Sequence, residues 1–128
     1  MSNSHQFEFV IGVNPGYQHA NECQSPIEAV VKAWDEAAES QLADGAMYVP
    51  VTMHQAKAVY RREWGCPAGG EDIVIVRGVL NPEFVQIPIA WSATVMLICQ
   101  EVQEVLGQAT ATLTLTPCEL GYMKSGVK

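Results

Sequence analysis

The two halves of this chain share one plan, and that repeat limits the fold more than any other feature. "VIGV-NP" at residues 10–15 recurs as "VRGVLNP" at 76–82. Pro26-Ile27 recurs as Pro88-Ile89, and Gly45 as Gly107, at one common offset, so a helix and the strand after it align without a gap. Each half reads as strand, helix, strand.

Local signals support each element. "FEFVIGV" (7–13) is rich in aromatic and β-branched residues and stops at Asn14-Pro15-Gly16, which predicts a strand and a turn. Ser25-Pro26-Ile27-Glu28 opens a helix: serine caps it, proline suits its first position, and glutamate completes a capping box. Ile27, Val30, Val31, Trp34, Ala38 and Leu42 then recur at helical spacing up to the stop at Gly45. In "AMYVPVTM" (46–53), Met47, Val49, Val51 and Met53 alternate with other residues, as in a strand. Pro50 cannot donate to a ladder, so this strand belongs at a sheet edge, continuing through 54–61 by way of a bulge. "DIVIVRGVL" (72–80) is almost continuously apolar and reads as a central strand.

A second helix begins between Pro82 and Pro88 and ends at Gly107. Its first half, "IPIAWSATVMLIC", is apolar nearly all round, as in a helix that is fully buried or shared with a partner. A short buried strand at 94–98 is the competing reading. "TATLTLTP" (110–117) is a half-buried strand.

Two βαβ halves of equal build point to an α+β, ferredoxin-like βαββαβ sandwich. Its four-stranded antiparallel sheet has the order 4-1-3-2, with two helices on one face. The apolar strands are then central, and the strands carrying Pro50 and the threonines are edges. All 128 residues form one domain, with 1–6 and 119–128 expected as flexible tails. Trp34 and Trp91 belong to the core or an interface, Met47, Met53 and Met96 fill the core, and Arg77 pairs with Glu8 on the open face of the sheet or, alternatively, contacts a ligand lying there.

Acids outnumber bases 14 to 7, for a net charge of −7. That repels phosphate backbones, and the acids are too dispersed to mimic one, so no nucleic-acid partner is expected. "MSNSHQFEF" has no basic region followed by an apolar run, and Ile87–Cys99 is too short and mixed to span a bilayer. The expectation is a soluble, cytoplasmic protein without a membrane partner, its four cysteines reduced and none in a CxxC pair. No phosphate-binding glycine loop, HExxH or GxSxG occurs, and no cofactor is expected.

The topology brings the loop 14–24, the hairpin 61–71 and the helix end near Gly107 to one end of the sheet, with Asn81-Pro82 and Cys118 at the other. Three readings of the first end compete. A metal could take His19, Cys23 and Cys66 with a carboxylate. A small ligand, anionic in one form of this reading, could take Tyr17, Tyr60, Arg61, Arg62, Trp64, Cys66 and Glu71, the arginines holding charge and the aromatics forming a wall. In a covalent version Cys66 is the nucleophile and His19 or His54 the base. The third reading is structural: Gly65, Pro67, Gly69 and Gly70 are what a long turn needs. The ligand reading is preferred. The alternative function is a non-enzymatic interaction module using the acidic helix face or these loops.

With 48% hydrophobic residues, the open sheet face or the apolar half of the second helix should be covered by a second copy. Light scattering should therefore return the mass of a homodimer or higher homo-oligomer, and a monomer mass overturns this.

Overall fold

The computed structural model describes residues 1–13 and 25–126. In chain order they form β1 (Ser2–Gly12), α1 (Pro26–Ala43), β2 (Thr52–Ala58), a 3-10 turn (Arg62–Trp64), β3 (Glu71–Val79), α2 (Pro88–Val105) and β4 (Ala111–Leu120). The sheet order is β2-β3-β1-β4, each neighbouring pair antiparallel. Read from the β4 edge this is 4-1-3-2, the ferredoxin-like sandwich.

The helix ends are locally encoded. Ser25 Oγ accepts from the Glu28 N–H at 3.3 Å, Pro26 opens α1, and Gly45 follows it at φ 89°. α2 is one unbroken helix. Its buried stripe, Trp91, Thr94, Val95, Ile98, Cys99 and Val102, recurs every three or four residues, which removes the strand reading of 94–98. Its other side leaves Ile89, Leu97 and Val105 exposed, and Met96 is half exposed instead of filling the core.

The core lies between the helices and one face of the sheet. Phe7, Phe9 and Ile11 of β1 and Val74 and Val76 of β3 meet Val30, Trp34, Trp91, Val95 and Ile98. Trp34 stacks on Phe7 (centroids 5.8 Å apart, planes at 14°) and donates its indole N–H to the Val49 carbonyl at 3.0 Å. Phe7 is also the cross-strand partner of Gly78, where a Cβ would collide with the Phe7 ring.

The sheet is longer than the strand patterns indicate. Ser2 pairs with Leu120 and Ser4 with Cys118, so both expected tails enter the β1–β4 ladder. Ser4 is buried and donates its hydroxyl to the Leu80 carbonyl, while the Leu80 N–H bonds the His5 carbonyl at 2.9 Å. These residues are polar, and only their long-range pairing orders them.

β2 is correspondingly later than expected. It starts at Thr52, so Pro50 precedes the edge strand and does not lie in it. The alternation at 46–51 has another cause: Val49 is buried in the core, its carbonyl is taken by Trp34, and Pro50 has no N–H to pair.

Burial pushes the Cys99 thiol from 9.0 up to about 12. The folded state thus holds this proton more tightly than the unfolded chain does. The contribution to stability is complete below about pH 9 and is lost as pH rises towards 12. Denaturant titrations should show a flatter stability profile across that alkaline window for Cys99→Ala than for the wild type.

Candidate functional site

Residues alternate between the two faces of each strand. With Phe7, Phe9 and Ile11 turned to the helices, Glu8, Val10 and Gly12 face the open side. The register places Arg77, Ile75 and Ile73 opposite them on β3. Glu8 and Arg77 form an ion pair of 3.1 Å there. It is exposed and contributes under about 1 kcal/mol.

Glu71, the first residue of β3, lies on the same face one step beyond Ile73. It is 6% exposed, and its Oε1 accepts a 2.9 Å hydrogen bond from the Tyr60 hydroxyl. Its carboxylate fits against β1 because Gly12 has no side chain: a Cβ there would collide with Glu71 Oε2. The turn after α2 completes the wall. Gln103 Nε2 donates to the carbonyls of Gln108 (3.1 Å) and Ala109 (3.2 Å), and Gln108 Nε2 donates to the Leu106 carbonyl at 3.3 Å. At the rim the 3-10 turn carries Trp64, 69% exposed, closed by Trp64 N–H to the Arg61 carbonyl (2.9 Å) and by Gly65 at φ 102°. Tyr60, Trp64, Glu71, Gln108, Thr110 and Thr112 line, with their neighbours, one open cleft of about 360 Å³.

The other expected site residues are distributed differently. Arg61 pairs with Glu63 at 2.6 Å, both exposed. Arg62 and Cys66 line a second depression of about 640 Å³, and Tyr60 stands between the two hollows as a wall of each. The Cys66 thiol donates weakly to the Pro67 carbonyl at 3.5 Å. Tyr17, His19 and Cys23, with the whole loop 14–24, lie outside the described residues. Among the described residues no three His, Cys, Asp or Glu side chains come together as a metal would need, and no helix is long and apolar enough to cross a membrane.

Gly12, Gln108, Thr110 and Thr112 were not among the sequence candidates. Gly12 had a signal in the alternation along β1, which places it on the open face. The threonines had the same alternation signal along 110–117, but Gln108 had none, because its proximity to Glu71 is set by the β1–β4 pairing.

A family model described as SAM lyase matches residues 2–124. Among solved structures the chain is similar to a phage SAM lyase in the apo state, at 14% identity and a TM-score of 0.60, covering 90% of this chain and 81% of that one. It is also similar to a phage SAM lyase in complex with S-methyl-5'-thioadenosine, at 13% identity and a TM-score of 0.57, covering 88% and 80%. Both likenesses are of fold. No curated protein matches the chain.

Tyr60→Phe removes the 2.9 Å donor from a buried carboxylate. Chemical denaturation should show a loss of about 1.5–3 kcal/mol, the usual worth of a hydrogen bond to a charged group. An unchanged midpoint would mean that the bond contributes nothing.

Proposed function

We propose that this chain, which belongs to the SAM lyase family, cleaves S-adenosyl-L-methionine (SAM) in the cleft beside Tyr60, Trp64 and Glu71. The product carrying the nucleoside would be S-methyl-5'-thioadenosine. The observation behind this reading is the buried Glu71 carboxylate, held by Tyr60, in a cleft whose size suits a small molecule.

SAM carries two cationic groups, the sulfonium and the α-ammonium, and one carboxylate. Glu71 takes the α-ammonium, since a buried anion favours a cationic partner. Trp64 offers an aromatic face to the adenine, and Thr110 and Thr112 offer hydroxyls to the ribose. The net charge of −7 attracts a cationic substrate over distance. The expected anion site moves to a subsidiary role: Arg62, across Tyr60, orients the substrate carboxylate.

The chemistry needs little more than this placement. The bond between sulfur and Cγ breaks, and its electron pair stays on sulfur, turning the sulfonium into the neutral thioether. The substrate's own carboxylate attacks Cγ and closes a five-membered lactone, so neither water nor a proton is consumed. Opposite charges are neutralised as the reaction proceeds, which is favoured where water is excluded, and the enzyme contributes mainly orientation. Elimination would instead require a base for a non-acidic Cβ proton. In the described lining of the cleft the one carboxylate, Glu71, is engaged by Tyr60 and, in this reading, by the α-ammonium, and there is no histidine, lysine or cysteine to serve as that base.

Liquid chromatography with mass spectrometry on SAM incubated with the protein should show S-methyl-5'-thioadenosine and homoserine lactone in equal amounts. Glu71→Gln should lower kcat/KM roughly 10–100-fold, matching the loss of a charged hydrogen bond. No nucleoside product, or full activity in Glu71→Gln, would sink the assignment, and vinylglycine in place of lactone would replace displacement with elimination.

A further inference from the structure

We infer that Gly12 is a positioning residue for this site: its missing side chain is the recess that receives the Glu71 carboxylate and sets its place against Tyr60. This rests on the lyase reading above and adds to it the element that aims the acid.

Three observations converge on Gly12. Glu71 Oε1 is held by the Tyr60 hydroxyl at 2.9 Å, while Oε2 occupies the volume that a Cβ on Gly12 would take. Gln108 Oε1 lies 2.8 Å from the same point, so the recess is closed on the β4 side. Nor does the backbone require glycine there. Among the described residues the positive-φ glycines are Gly45, Gly65, Gly69, Gly70 and Gly107, and Gly12 is not one of them. The requirement for glycine is therefore one of space, created by the carboxylate.

The nature of the collision separates a positioning role from a structural one. A Cβ at Gly12 would meet the ends of two flexible side chains, Glu71 and Gln108. The fold can accept it by moving the carboxylate. A Cβ at Gly78 would meet the Phe7 ring in the packed core, which has no such freedom. The two glycines should thus respond to alanine differently, Gly12 chiefly in catalysis and Gly78 in stability.

The test is a set of variants assayed for SAM cleavage and thermal unfolding. Gly12→Ala should lower its thermal midpoint no further than Tyr60→Phe does, through the displaced Glu71 carboxylate, and lose roughly 10–100-fold in kcat, the scale of a misplaced orienting group. Gly78→Ala should lower the midpoint and leave kcat unchanged. Glu71→Asp should impair the wild type, but recover activity in the Gly12→Ala background, because a side chain shorter by one methylene clears the new Cβ. Wild-type kcat in Gly12→Ala, or additive losses in the double variant, overturns the inference. If wild-type protein leaves SAM intact, the lyase reading fails separately. The recess is then judged by the Gly12→Ala/Glu71→Asp cycle in unfolding free energy, where coupling upholds it and additivity overturns it.

Discussion

Phe7 lying over Gly78 is the contact on which the rest of the molecule depends. The two are cross-strand partners, and the ring occupies the space that any side chain at 78 would need. Trp34 and Trp91 then close on Phe7, with ring centroids 5.8 and 5.7 Å away. Side chains alternate with a period of two, so slipping β1 by one residue would turn Phe7, Phe9 and Ile11 to the open face. The same register that buries those rings places Gly12 opposite Ile73 and beside Glu71. Packing on the helix side thereby sets the geometry of the cleft on the other.

Glu71 is the main departure from an ordinary sheet face. The ion pair of Glu8 and Arg77, farther along the same sheet face, stays in solvent, whereas Glu71 is buried and held by Tyr60. Desolvating a carboxylate costs stability unless partners replace the lost water. Tyr60 replaces part of it. A cationic ligand would supply more, which is how a buried carboxylate can serve a binding site.

The helix limits were legible because their signals are local: Ser25, Pro26 and Glu28 at one end of α1, and Gly45 and Gly107 after the two helices. The sheet limits were not. Ser2 to Gln6 carry no strand pattern, and they are ordered by pairing with β4, more than a hundred positions away, and with Val79 and Leu80. At 46–51 the alternation imitated a strand, although Val49 gives its carbonyl to the Trp34 indole and leaves the ladder to start at Thr52. In the cleft, Tyr60, Trp64 and Glu71 stood out as unusual residues in one loop. Gly12 and Gln108 come from distant segments and acquire meaning only beside them.

The amino-acid order alone determined the strand sequence, the strand order and the end of the sheet where polar and aromatic residues gather. Those properties follow from hydrophobic period, caps and the repeat of one βαβ plan. Only the tertiary structure decided which of those residues share a cleft. Arg61 turns to Glu63, Arg62 joins a neighbouring hollow, and Glu71 settles against Gly12. Gly12 and Gly78 are the same letter in the same repeated motif, yet one opens space for a carboxylate and the other for an aromatic ring. The faces they serve are assigned by long-range register, a physical quantity that no local stretch of sequence contains.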